Sequence, residues 1–389
     1  MKFRVERDVL ADALAWTGRS LPARPPVPVL AGMLLEVADR LTVSSFDYEV
    51  SAQVSVDIEV GEPGRVLVPG RLLAEIARSL PAAPVEVSTD PGRMAVVCAG
   101  SRFTLQTLPV EDYPSLPRMP ELAGTVGSEP LAEAVGQVVL AASRDETLPM
   151  LTGVRVEIEA AELTLACTDR YRIAVRRLGW TPARPDLSAA ALIPARTLAG
   201  VARALPASAE VSVALAGDGG AGRGMIGFDC RGRRTTTSLL DGQFVPWRSR
   251  FPTEFGYRAD LPVGPFAEAV KRVGLVAERN TPVRLSFGPG RLVLEAASGE
   301  EAQAVETLDA AFDGGADVPI AFNPQFLLDG LTAIDAERAR LEFSTPTRPA
   351  LLTATPPAST ADSGSTVDPS TSDSGGAADF RYLLMPVRV

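Results

Sequence analysis

The chain has 389 residues, 46% of them hydrophobic and 22% charged, with a formal net charge of −10 and no histidine. That is soluble globular material, long enough for three domains of about 125 residues that each bury a core. Without histidine a Ser-His-Asp triad, an HExxH zinc site and a Cys-His pair are all excluded, and the acidic balance argues against a protein that coats DNA generally.

An acidic chain can still meet phosphate if its cations share one surface. Met1-Lys2-Phe3-Arg4-Val5-Glu6-Arg7 is not a signal peptide, and no run of about 18 uncharged apolar residues exists. The expectation is a cytoplasmic protein without a membrane partner. Cys98, Cys167 and Cys230 are odd in number and widely spaced, so they read as core thiols rather than a disulfide framework or a zinc site. No metal or cofactor is indicated.

In chain order the first helix is expected over about 7–18, carrying Leu10-Ala11-Asp12-Ala13-Leu14. Strands follow over about 30–60, with Leu41-Thr42-Val43 among them. Val68 to Leu80 reads as a second helix whose Pro69 suits a first turn. Leu72, Ile76 and Leu80 are spaced as a buried stripe, and Arg71 and Arg78, seven apart, share the opposite face. Further strands run through Phe103–Leu108. Glu111-Asp112-Tyr113-Pro114-Ser115-Leu116-Pro117 is then a connector, broken by its prolines.

The same landmarks return twice in the same order. Leu131-Ala132-Glu133-Ala134-Val135, Leu163-Thr164-Leu165 and the Ile193–Leu205 helix, with Arg196 and Arg203, form a second copy. It ends in the connector Phe244–Pro252. Phe266-Ala267-Glu268-Ala269-Val270, Leu292-Val293-Leu294 and Asn323–Leu331 form a third, which lacks the arginine pair. The period is too long for a solenoid and fits a tandem domain. The fold class is therefore α+β, three copies of a module with two helices and several strands. Expected boundaries are 1–122, 123–252 and 253–389. A Ser/Thr/Pro/Gly/Ala/Asp-rich stretch over about 354–379 reads as a disordered insertion. After it the chain resumes as a strand and a short tail expected to fray.

The repeated helices, Thr168-Asp169-Arg170-Tyr171-Arg172-Ile173-Ala174 and the terminal Tyr382-Leu383-Leu384-Met385-Pro386-Val387-Arg388 together resemble the bacterial beta sliding clamp of DNA polymerase III. The likeness spans the chain apart from the insertion and is nearest to clamps of high-GC Gram-positive bacteria. It implies a head-to-tail homodimeric ring with helices lining the hole and sheets outside. Such a ring is a processivity factor that holds double-stranded DNA by topology, without sequence preference, and it is not an enzyme. By the same resemblance and by helix position, Arg24, Arg71, Arg78, Arg144, Arg196, Arg203, Lys271 and Arg279 are the candidates to touch phosphate, with Arg272 beside Lys271.

The resemblance also implies an apolar cleft between the second and third modules. There short linear peptides dock, from the polymerase alpha subunit, the clamp-loader delta subunit, other polymerases and mismatch-repair or ligase-type proteins. Its walls fall on Leu151, Thr168, Arg170, Tyr171, Arg172, Ile173, Val245, Arg250, Pro252, Asn323, Phe326, Leu383, Met385, Pro386, Val387 and Arg388. Arg172 and Arg388 are expected to fix the peptide's backbone or carboxylates. Relatives generally carry proline at Val245 and an apolar residue at Arg250. A guanidinium there would shrink the apolar floor or turn outward, altering affinity for cyclic-peptide inhibitors. That departure raises a second reading, a specialised inhibitor-resistant clamp conferring antibiotic resistance. A third reading, a nucleic-acid enzyme built on Asp47 and Asp169, lacks clustered partners for either carboxylate.

Overall fold

A computed structural model describes residues 1–216, 224–277, 281–299, 301–314, 317–355 and 379–388. Most of the expected insertion, and Arg279, lie outside the described residues.

Six α-helices occur among the described residues: α1 (Arg7–Thr17), α2 (Gly70–Ser79), α3 (Ser128–Val139), α4 (Ala195–Ala204), α5 (Val263–Gly274) and α6 (Pro324–Ala333). Each landmark of the triplicated pattern falls where its element was expected, the Leu-Thr-Val type runs lying in strands Leu41–Phe46, Glu162–Thr168 and Arg291–Ser298. The chain therefore carries three tandem copies of one α+β module.

The amphipathic stripe of α2 differs from expectation at one residue. Leu73, Ile76, Ala77 and Leu80 are buried, while Leu72 is 49% exposed. The helical period explains this: eight residues at 3.6 per turn leave Leu72 about 80° away from Leu80, whereas the i, i+3, i+4, i+7 set stays on one face. In α5 the same set, Phe266, Ala269, Val270 and Val273, is buried as a block.

Two compact units form, and they cut across the middle copy: one contains Met1–Glu129, Thr181–Leu187 and Gly200–Leu239, the other Pro130–Trp180, Ser188–Ala199 and Leu240–Val389. In the first unit a five-stranded sheet runs, edge to edge, Glu59–Glu62, Lys2–Val5, Val85–Asp90, Arg93–Cys98 and Ser101–Gln106. A nine-stranded sheet joins five strands of the middle copy, ending at Arg233–Ser238, to four of the first copy, beginning at Val50–Val56. The seam is antiparallel, with Ser51 opposite Thr236 and their hydroxyls 2.6 Å apart. Phe3, Leu14, Trp16, Val43, Leu73, Ala77 and Val96 bring both sheets and both helices into one core.

The second unit repeats the plan with the numbers reversed. Its nine-stranded sheet joins four strands of the middle copy, ending at Arg172–Gly179, to five of the third, beginning at Phe380–Leu384. Ile173 stands opposite Leu383 across that seam. A four-stranded sheet, Ala302–Asp309, Arg291–Ser298, Val283–Gly288 and Val318–Phe322, completes the unit. The strand order places Ala302–Asp309, like Ser101–Gln106, at an edge.

Candidate functional site

The cationic positions fall on helices and their flanking loops. Arg78, Arg196 and Arg203 are exposed, and Arg78 and Arg203 lie in the last turns of α2 and α4, where a cation also complements the helix dipole. Arg71 is not a freely extended charge: its guanidinium donates to the carbonyls of Leu21 (3.3 Å) and Pro22 (3.1 Å). That contact ties to α2 the loop that presents exposed Arg24. Glu75 is also exposed on α2, so the face is mixed rather than purely cationic. Arg144 is exposed beside Asp145, whose carboxyl is held below its usual range by hydrogen bonds from Thr147. Lys271 pairs with Glu268 at 2.6 Å, and its neighbour Arg272 with Glu306 at 2.5 Å.

The positions expected to wall the cleft all lie in the second unit. The turn after Glu162–Thr168 is built by Asp169, whose Oδ1 accepts the N–H groups of Tyr171 (3.0 Å) and Arg172 (3.1 Å). Arg170 takes the left-handed conformation, φ 82°, that this turn needs. Tyr171 is left 56% exposed. Thr168 is buried, its hydroxyl donating to the Arg172 carbonyl at 2.6 Å.

The chain's last residues come to this turn. Met385 N–H donates to the Tyr171 carbonyl and Val387 N–H to that of Ala321, both at 2.8 Å. These bonds hold a tail that was expected to fray. Met385 and Val387 keep exposed apolar surface, and Arg388 is exposed beside them. Asn323 caps α6 by accepting from Gln325 N–H (2.9 Å) and Phe326 N–H (3.2 Å). The capped turn presents the Phe326 ring 6.2 Å from that of Tyr171.

Arg172 is placed differently from expectation. It is 8% exposed and spent inside the protein. Its Nε donates to Asp169 (2.8 Å), its Nη1 to Asp329 (2.5 Å) and to the Tyr382 hydroxyl (3.3 Å), and its guanidinium lies 4.3 Å from the Phe326 ring centroid. Burial works against its charge, but Tyr382, Asp329 and Asp169 outweigh it and raise its pKa. Burial likewise pushes the Tyr382 hydroxyl far above the phenol range despite the arginine beside it. Arg170 and Arg388 are thus left as exposed cations beside the Tyr171 turn.

Ile173 and Leu383 are also covered, by the connector. Phe244 and Trp247 join them in one cluster with Val175, Leu192 and Leu351, and Val245 packs half-buried against it. Leu151 is buried too. Arg248 fastens the strap, standing 4.5 Å from the Trp247 ring and pairing with Glu157 and Glu159. Arg250 is exposed, and Pro252 is half-buried. Trp247, Asp329 and Tyr382 lie within stretches that the sequence singles out, but it assigns none of them a role in the site; only the shared place of Asp47 and Asp169 in their repeats hinted at the turn. Both carboxylates are engaged as turn caps. The three cysteines are free and buried, the Cys167 thiol pushed up to about 12 by burial. No described helix is long and apolar enough to cross a membrane.

Family models match in sequence order: the DNA polymerase III beta subunit N-terminal domain over residues 1–117, its central domain over 125–246 and its C-terminal domain over 248–363. The beta sliding clamp of Streptomyces coelicolor is 58% identical over 100% of both chains. The beta sliding clamp homolog GriR of Streptomyces muensis is 40% identical over 100% of this chain and 99% of its own. Among solved structures, the Pseudomonas aeruginosa sliding clamp bound to griselimycin aligns over 100% of both chains with a TM-score of 0.88 and 25% identity. This chain belongs to the DNA polymerase III beta subunit family, the bacterial sliding clamps.

Proposed function

We infer that this chain is the processivity factor of a DNA polymerase, acting as a head-to-tail dimeric ring around duplex DNA. The observation that carries the ring is a count of strands. Each seam within the chain joins a five-strand and a four-strand set into nine. Among the described residues one five-stranded and one four-stranded sheet remain, with edges Ser101–Gln106 and Ala302–Asp309. These edges hold the same places in their modules as the strands that form the internal seams. Joining them between two copies makes a third nine-stranded sheet, covers both edges and closes a heterologous contact into a ring.

Such a ring needs only weak contacts to phosphate, because enclosure does the holding. Arg24, Arg71, Arg78, Arg144, Arg196, Arg203, Lys271 and Arg279 remain the proposed contacts, with Arg78, Arg196 and Arg203 supported by exposure on helices. The chain is read as non-catalytic and cytoplasmic, with module boundaries at 1–122, 123–252 and 253–389. The proposed peptide face combines Tyr171, Phe326, Met385, Pro386 and Val387 with Arg170 and Arg388 at its rim. The polymerase, clamp loader and repair proteins would dock there. Griselimycin, held by the Pseudomonas aeruginosa clamp, is a ready probe of it. Identity of 58% to the Streptomyces coelicolor clamp against 40% to GriR supports the replicative reading over an inhibitor-resistant copy.

The test is topological. Loaded by a clamp loader, the protein should stay on nicked circular DNA and leave once the circle is linearised. Equal retention on both forms would overturn the ring.

A further inference from the structure

The turn that carries Tyr171 has an internal control in the first module. There Asp47 Oδ1 accepts from Glu49 N–H (3.0 Å) and Val50 N–H (2.7 Å), and Tyr48 has φ 75°. Ser238 N–H donates to the Glu49 carbonyl at 2.9 Å, as Met385 N–H does to Tyr171. The two turns are twins, and Val50 holds the place of Arg172. A guanidinium is therefore not needed to make the turn. Its purpose lies in what it reaches beyond it.

Arg172 reaches α6 and the terminal strand together. Asp329 takes its Nη1 on Oδ2 and Gln325 Nε2 on Oδ1 (2.7 Å). The Tyr382 hydroxyl accepts from Arg172 and donates to the Phe326 carbonyl at 2.8 Å. Gly330 makes this approach possible: a Cβ there would lie 2.6 Å from the Tyr382 ring. At the twin seam Thr235 stands in the place of Tyr382, by the offset that matches Ser238 to Met385. Of the two seams within the chain, the one that carries the proposed peptide face has this assembly among the described residues and the other does not.

We propose that Asp329 and Tyr382, acting through Arg172, are positioning residues that hold the Phe326 ring and the Tyr171 turn as one preformed edge of the peptide-docking face. This rests on the peptide-face reading above. A face fixed in advance does not lose side-chain freedom when a ligand arrives, so its affinity is higher than that of the same residues left mobile. Neither Asp329 nor Tyr382 needs to touch the ligand.

The experiment is calorimetric titration of the full-length protein with griselimycin. Asp329→Asn is expected to raise Kd about tenfold and Tyr382→Phe, which removes one oxygen and keeps the packing, about threefold. Asp329→Glu, which keeps a carboxylate for Arg172, should bind more tightly than Asp329→Asn. Wild-type affinity in both Asp329→Asn and Tyr382→Phe, or equal weakness of the Asn and Glu variants, would overturn the assignment. Tyr171→Ala with Met385→Ala tests the underlying reading separately. If wild type binds and this double variant does not, the face stands whatever the positioning variants do. If the double variant binds as wild type, the face itself is lost, and the proposal with it.

Discussion

The Arg381 guanidinium stands 4.3 Å from the centroid of the Phe251 ring, joining the last strand to the connector. Burial, together with nearby Arg177, holds the Arg381 pKa below its ordinary value, and a π face at this distance attracts the buried cation. Phe251→Leu keeps the apolar bulk and removes the quadrupole. It should lower stability by about 1 kcal/mol, read as a lower urea midpoint at unchanged slope.

Arg340 grips Asp260 with two hydrogen bonds of 2.8 and 2.9 Å. Those bonds hold the Asp260 carboxyl below its ordinary value of 3.8. The pair therefore contributes fully above that value and loses its contribution as pH falls through the lower folded value. Asp260→Asn should cost about 1 kcal/mol at neutral pH. Thermal melting followed into acid should find the two proteins converging; a constant gap would show that the charge is not responsible.

The twin seams also fix a register for the seam between copies. Cys98 pairs with Ser101 as Cys230 pairs with Arg233, which matches Thr104 to Thr236. Leu41 opposite Val56 matches Leu292 opposite Leu308, the two leucines opening the equivalent strand motifs, so Phe46 opposite Ser51 corresponds to Ala297 opposite Gln303. Ser51 faces Thr236; Thr104 should then face Gln303 of the partner subunit. Thr104→Cys with Gln303→Cys should give a disulfide-linked dimer on mild oxidation, seen on a non-reducing gel. Thr104→Cys with Val305→Cys, displaced by two residues, is too far for a disulfide and should not.

Arg250 is exposed and has no part in the aromatic cluster of the connector. Arg250→Leu should therefore leave the griselimycin Kd within about twofold, since an exposed substitution remote from the contacts changes energy by under about 0.5 kcal/mol. A tenfold gain in affinity would place this residue in the face after all.

The triplication was legible because each landmark is local: a few residues of helix or strand periodicity, repeated in order. Capping chemistry was half legible, since Asp47 and Asp169 occupy matching places. Arg172 was not. Its partners Asp329 and Tyr382 lie 157 and 210 positions away, and no short pattern connects them. The floor under the connector was hidden for the same reason: Trp247 belongs with Ile173 and Leu383 only once the strands have paired. Leu72 misled because a spacing of four drifts around a helix.

In the proposed ring two of the three sheet joints are made within one polypeptide, where the effective concentration of the meeting strands is set by the chain. The joint between Ser101–Gln106 and Ala302–Asp309 has no such help. Opening and dilution should act there first, so how long the protein remains threaded on a plasmid becomes a measure of one pair of strand edges.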